Sequence, residues 1–393
     1  MHKSIQTAPT FDLQYIKNFT REMIIPGSQE RDRNAHFAHN IYAELHKLNI
    51  MHAVVPKTLG GLEMPVSDMI WVIKELAFGS AGVATTVMAN LLGYSPVVLY
   101  GSEELKRKRF LETPEKSSLW SFAMTEAAVG FDVGNTQTRA KKIKTGYILN
   151  GRKDYITNSA HATHISVFAN VQNTQGNLLG ISTFYVPANA EGVRRGESMN
   201  KLGHRESNTG ELFFENVFVP DEHLLGEIGQ GIKILHHSLG RTKTLIGAIA
   251  NGICTRAFEL ATGHLASRGT QGHTLLNKSA VQQFLVRYYT EIQAAWLLTC
   301  HAAATWDSGS LAIQEASMTK MYSSDLAVRF ASEALELMGA QGYSADNEIS
   351  RLYRDAKLLE IYEGSTQVLE ILIGKEIFKN NERLKIPKIA NVA

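Results

Sequence analysis

The spacing of apolar residues divides the chain into three blocks. Up to about residue 118 the period is helical: Ile41, Leu45 and Leu48 mark one segment, Met69 to Phe78 a second and Ala84 to Tyr100 a third, punctuated by Pro56, Gly60-Gly61 and Pro65. Residues 119 to 225 switch to short β-rich runs: Leu119 to Met124, Tyr147 to Leu149, His164 to Asn170, Ile181 to Val186 and Glu211 to Val219. Turn residues separate them, as at Asn173 to Asn177 and Asn189 to Gly192. From 228 onward the helical period returns, in long segments near 230 to 266, 278 to 308 and 311 to 339. The order predicts an α+β multidomain chain, with an N-terminal helical domain over 1–118, a middle β-barrel or sandwich domain over 119–225 and a C-terminal helical bundle over 226–393. No tandem repeat or low-complexity tract interrupts it.

Two more helical patterns lie near the C-terminus. Ile349, Leu352, Tyr353, Ala356 and Leu359 space one over 346–360, and Val368, Leu369, Leu372, Ile373 and Phe378 space the next over 366–378. Gly364 breaks the run, and Ser365 or Thr366 is suited to cap the second helix. Glu363 stands at the break. Ile361 and Tyr362 make its approach apolar, so a carboxylate there is expected to be partly desolvated, with its pKa raised toward the range of a general base near neutral pH. A glutamate at a helix junction is more often a solvated surface group, so the residue alone does not decide the matter.

Composition narrows the class. At 393 residues, 44% hydrophobic and 20% charged, the chain is soluble globular material sized for two or three domains. Forty basic against 38 acidic residues leave a net charge of +2, so no global field recruits nucleic acid or an anionic membrane. The run Lys106-Arg107-Lys108-Arg109 follows Glu103 and Glu104 and reads as a solvated helix. Cys254 and Cys300 lie inside apolar helical patterns and are expected in the core, with no disulfide framework. His236-His237, His161 and His164 lack a spaced third ligand, so no metal site is expected. The loop Gly226-x-x-Gly229-x-Gly231 reads as a turn opening a helix, because no βαβ unit surrounds it. No apolar run reaches the ~18 residues that span a bilayer, and the start MHKSIQTAPTF lacks the apolar core of a secretory signal. A cytoplasmic protein without a membrane partner is the expectation.

Longer motifs carry a resemblance. Arg354-Asp355-Ala356-Lys357 followed by Ile361-Tyr362-Glu363-Gly364-Ser365-Thr366-Gln367, preceded by Glu336-Leu337-Met338-Gly339-Ala340-Gln341-Gly342-Tyr343 with Asp346 and Arg351, resembles the acyl-CoA dehydrogenase family. The likeness runs in register from roughly residue 35 to 380. It implies a C-terminal four-helix bundle, bound FAD, and Glu363 as catalytic base, with Gly364 beside it in the substrate site. Phe122, Met124 and Thr125 resemble the strand end that meets the isoalloxazine ring, and Tyr155 with Thr157 resembles the W-I-T-N element, Tyr replacing Trp. Arg268, Thr270 and Gln271 resemble the turn whose Arg reaches the FAD pyrophosphate of a neighbouring subunit, where a guanidinium fork suits paired phosphate oxygens. Glu336, Gly339 and Ala340 take further pyrophosphate positions, Ala340 in place of a Gly, and Ser365 and Gln367 fall on positions that contact FAD. Contacts that cross subunits imply a homotetramer, a dimer of dimers, or at least a dimer.

The departures are concentrated where a CoA thioester is seated. The family's P-G-A-G-S-D reads Ala127-Ala128-Val129-Gly130-Phe131-Asp132, so Phe131 replaces a hydroxyl near the pantetheine arm. The helix that usually carries Asp and, three residues on, Arg reads Gly240-Arg241-Thr242-Lys243. Its cation is either Lys243 in register or Arg241 displaced by two, and Lys lacks the planar fork. These changes suggest an acyl thioester carried on a phosphopantetheinyl acyl-carrier protein, with CoA in a shifted binding mode as the other reading. In either case the resemblance implies that Glu363 removes the α-proton while a hydride leaves the β carbon for flavin N5, giving a trans-2-enoyl product. The family's alternative base position corresponds to Thr242, and its usual electron acceptor is an electron-transferring flavoprotein. A flavin-dependent oxidase or monooxygenase, or a non-catalytic subunit with a degenerate site, remain alternatives on this fold.

Overall fold

A computed structural model describes residues 8–112, 118–130, 132–270 and 273–379. Phe131 and Gln271 lie outside the described residues, and Thr270 is described by its backbone alone. Six helices come first: α1 (Gln14–Phe19), α2 (Ser28–Asn34), α3 (His39–Lys47), α4 (Val66–Gly79), α5 (Ala81–Tyr100) and α6 (Glu103–Arg107). Eight strands follow: β1 (Trp120–Ala123), β2 (Arg139–Ile143), β3 (Gly146–Thr157), β4 (His164–Gln172), β5 (Leu178–Pro187), β6 (Val193–Ser198), β7 (Thr209–Pro220) and β8 (Leu224–Leu225). The chain returns to helix with α7 (Gly231–Ser267), α8 (Ser279–Asp307), α9 (Ile313–Leu337), α10 (Ala340–Tyr343), α11 (Glu348–Leu358) and α12 (Thr366–Lys379). The helix, strand, helix order predicted by the periodicity is the one found.

The strands form one mixed sheet in the order β6-β7-β3-β2-β4-β5-β8, with β1 added parallel to β4. Every β-rich run read from the sequence lies in this sheet, but β3 extends to residue 157 and β2 and β6 went unread. β6 is a polar edge strand with no buried residue, so it shows no apolar alternation. The sheet has its own core around Leu149, Val167, Phe184, Leu212 and Val217. A larger core joins the two helical blocks.

Helix α5 corrects one expectation. It runs 20 residues and is long and apolar enough, by length and composition, to cross a membrane, although 89% of the qualifying stretch is buried inside the protein. Its scattered Thr85, Thr86 and Asn90 hide the run from a count of apolar residues, yet each is hydrogen-bonded within the fold. It is a core helix. Ser80 caps its start, accepting from the Val83 N–H at 3.1 Å.

Close helix packing sets up the site. A Cβ at Gly247 of α7 would meet Thr319 Cγ2 of α9 at 2.4 Å, so glycine is what lets these two helices approach. Cys254 and Cys300 are both buried, as expected for core residues.

Candidate active site

Helix α11 ends at Leu358, and the seven residues 359–365 lead to α12. The reversal is sharper than the Gly break alone suggests: Glu363 itself has φ 53° and Gly364 φ 102°, so two successive residues lie in left-handed space. Of the two residues expected to make the approach apolar, Ile361 is exposed and Tyr362 alone packs against the helical core. The Glu363 side chain is partly buried and accepts a 2.6 Å hydrogen bond from Thr242 Oγ1 of α7. Burial raises its carboxyl to about 7, against the Thr242 hydrogen bond and the cations Lys243 and Lys320, which pull it down. A carboxylate poised there can take and return a proton near neutral pH.

The two lysines come from different helices. Lys243 follows Thr242 on α7, is buried, and has no hydrogen-bond partner among the described residues. Lys320 is fully buried on α9 and donates from Nζ to the carbonyl of Gly364; burial lowers its ammonium to about 8. Arg241 does not join them, since its guanidinium lies over the Trp306 ring at 5.3 Å. Of the two cations weighed in the sequence, Lys243 is therefore the one that acts on Glu363. Lys320 was missed. It shares a helical face with Ala316, Ser323, Ser324 and Ala327, all buried, and a charge in that buried stripe was the available signal.

Helix α11 is anchored by a buried ion network. Arg351 is fully buried, with Nε on Gln29 Oε1 at 2.9 Å, Nη2 on Glu348 at 2.9 Å and Nη1 3.5 Å from Asp355. Asp355 accepts from the His204 N–H at 2.6 Å, and Arg354 pairs with Asp32 of α2. The charges Arg351, Arg354 and Asp355 thus tie α11 to both preceding blocks.

The two motifs of the β block are stitched together, 30 residues apart. The Asp154 N–H donates to Thr125 O at 2.9 Å, Lys153 Nζ to Met124 O at 2.9 Å, and Ser121 Oγ to Thr157 O at 2.9 Å. Lys153 also binds buried Glu126 at 2.7 Å, fixing the loop after β1. A bulge between Lys153 and Ile156 turns Tyr155 outward with φ 59°, leaving it 57% exposed. Tyr155 follows directly on the Asp154–Thr125 backbone bond, and an open aromatic there could meet one face of a planar ring system. At the other end, Arg268 Nη1 lies 3.7 Å from the Cβ position of Gly339, next to exposed Glu336 and Ala340. That guanidinium, beside an open glycine, could meet a pair of phosphate oxygens. Ser365 is partly buried and Gln367 exposed, both just past Gly364.

A partly buried carboxylate with a raised pKa thus stands where two helices meet, in a chain whose β domain presents an open aromatic. The chain belongs to the acyl-CoA dehydrogenase family. Its sequence matches the acyl-CoA dehydrogenase N-terminal domain over residues 13–112, the middle domain over 121–217 and the C-terminal domain over 229–378. It is 34% identical over 361 residues to an acyl-CoA dehydrogenase of Bacillus subtilis, covering 92% of this chain and 95% of that one. Butyryl-CoA dehydrogenase from Megasphaera elsdenii superposes with a TM-score of 0.89 at 31% identity, covering 95% of this chain and all of that one, 100%. A prolyl acyl-carrier-protein oxidase superposes with a TM-score of 0.87 at 26% identity, covering 93% and 97%.

Proposed function

We propose that this protein is an FAD-dependent dehydrogenase that introduces an α,β double bond into an acyl thioester, with Glu363 as the α-proton base. The observation that carries the reading is Glu363 itself, raised to about 7 and held by Thr242 where two helices meet. Tyr155, Thr125, Met124, Phe122 and Thr157 would hold the ring of FAD, Arg268, Glu336, Gly339 and Ala340 the pyrophosphate of a neighbouring subunit's FAD, and Ser365 and Gln367 would contact FAD just past the carboxylate. When bound, FAD supplies the hydride acceptor. The chain supplies position and base: Glu363 faces the substrate α carbon, its backbone N–H is available to the thioester oxygen, and Lys243 adds positive charge as enolate character develops.

The carrier is proposed to be a phosphopantetheinyl acyl-carrier protein. Gly240 in place of Asp, Lys243 in place of Arg and Phe131 in place of Ser support it, as does the likeness to a carrier-protein oxidase. Electrons are proposed to leave for an electron-transferring flavoprotein, and the enzyme to act in the cytoplasm. A homotetramer is the proposed assembly. Val286, Tyr289 and Leu297 form one exposed apolar stripe on α8, which a second copy would cover; sedimentation that gives a monomer counts against it.

The deciding experiment is anaerobic titration of the FAD-loaded protein with saturated acyl thioesters of graded length, each presented on CoA and on a carrier protein, following the visible flavin band. Bleaching by one acyl length establishes the reaction and its substrate class. Faster bleaching by the CoA ester removes the carrier-protein reading, and bleaching by neither, with rapid oxygen uptake by the reduced protein, moves the assignment to an oxidase or monooxygenase.

A further inference from the structure

The turn that carries Glu363 is held from beneath by two side chains of α9, four residues apart on one face. Lys320 Nζ donates to the carbonyl of Gly364, the residue after the base, and Ser324 Oγ donates at 3.0 Å to the carbonyl of Leu359, four residues before it. The contacts bracket the carboxylate on both sides along the chain. Both side chains are fully buried.

A buried ammonium is costly unless an opposite charge pairs with it. Lys320 has no ion pair among the described residues; its hydrogen bond goes to a neutral carbonyl, and Glu363 and Glu360 act on it through their field alone. Filling space does not call for this residue, because a methionine of similar length would pack there without losing hydration. What the ammonium adds is a grip on the Gly364 carbonyl. That grip acts on backbone in need of restraint, since Glu363 and Gly364 occupy φ 53° and 102° in succession, and a left-handed glutamate persists only where its surroundings over-determine it.

We infer that Lys320 and Ser324 form a clamp that positions the Glu363 carboxylate for proton abstraction. The inference rests on the reading of Glu363 as base. Lys320 is a positioning residue: it reaches the backbone of the turn and leaves contact with substrate to Glu363, Gly364 and Lys243. Its removal therefore slows the proton-transfer step while leaving thioester binding in place.

The test compares FAD-loaded wild type, Glu363→Gln, Lys320→Met and Ser324→Ala in anaerobic stopped-flow reduction by butyryl to palmitoyl thioesters on CoA and on a carrier protein, across the neutral pH range, together with crystal structures of the variants. Lys320→Met is expected to slow flavin reduction by about 10²-fold, the usual result of a misplacement of about 1 Å, with thioester affinity changed less than about threefold. Its acid limb moves to higher pH, because Lys243 is then the remaining cation facing Glu363. Ser324→Ala is expected to slow reduction several-fold with the limb unmoved, Ser324 being neutral. In the Lys320→Met crystal structure the Gly364 carbonyl turns away and Glu363 leaves Thr242. A wild-type reduction rate with an unmoved limb, or a crystal structure with Glu363 still on Thr242, overturns the clamp. If Lys320→Met does not fold, Ser324→Ala decides, and a wild-type rate there overturns it. Full activity of Glu363→Gln overturns the reading of the base instead, and that variant alone separates the two failures.

Discussion

Thr242 Oγ1 donates a 2.6 Å hydrogen bond to Oε2 of Glu363, joining residues 121 positions apart in the chain. It is a direct side-chain contact between α7 and the turn after α11, and it favours the charged form of a carboxyl whose pKa burial raises.

Glu363→Gln keeps the shape and hydrogen-bonding size of the side chain but cannot accept a proton. The variant is expected to retain FAD and to lose about 10²- to 10⁴-fold in turnover. Flavin absorbance and anaerobic reduction rate check the two halves; undiminished turnover places the base elsewhere.

Because the base must be ionised to act, kcat/KM is expected to rise with pH through a limb near 7, the value to which burial brings Glu363. Thr242→Val removes the hydrogen bond that favours the carboxylate, so its limb moves to higher pH. A pH profile of the two proteins on one thioester measures the shift, and coincident limbs would show that Thr242 does not tune the base.

Stability should fall as the solution is acidified from neutral. Burial lowers His46, His161, His164 and His223 from 6.5 to about 4, and His52, His204, His236 and His237 move the same way. Between pH 4 and 6.5 the unfolded chain binds more protons at these sites than the folded one, so their contribution rises with pH in that window and is lost below it. Glu363, Glu206 and Glu75, whose folded pKa values are raised, run the opposite way but are fewer. Thermal midpoints measured from neutral pH downward test the sign.

Arg351→Met leaves Asp355 without its guanidinium partner and Glu348 with Arg256 alone. Removing one partner of a buried ionic network typically costs about 3 to 5 kcal/mol. Urea titration should show this as a lower midpoint with an unchanged slope, and a midpoint equal to wild type would mean that Arg256 on Glu348 and the His204 N–H on Asp355 suffice for the two carboxylates.

Much of this protein was legible in the sequence. Period 3.6 against short β runs gave the order of helical, β and helical blocks, and the IYEGSTQ string marked the turn and its carboxylate, because both signals reside in neighbouring residues. Polar β6 and the polar centre of β3 carried no such signal, since their strand state comes from pairing with β7. Whether Glu363 is a solvated surface group or a partly buried carboxylate with a raised pKa was decided by packing and by distant side chains: Thr242 and Lys243 from α7, Lys320 from α9. The choice of Lys243 over Arg241 depended on which way each faces, with Arg241 taken by Trp306. Local sequence determined where the chain bends and what chemistry stands at the bend. Tertiary structure alone set the pKa of that carboxylate and the grip on its backbone, because desolvation and long-range hydrogen bonds depend on packing between elements far apart in the chain.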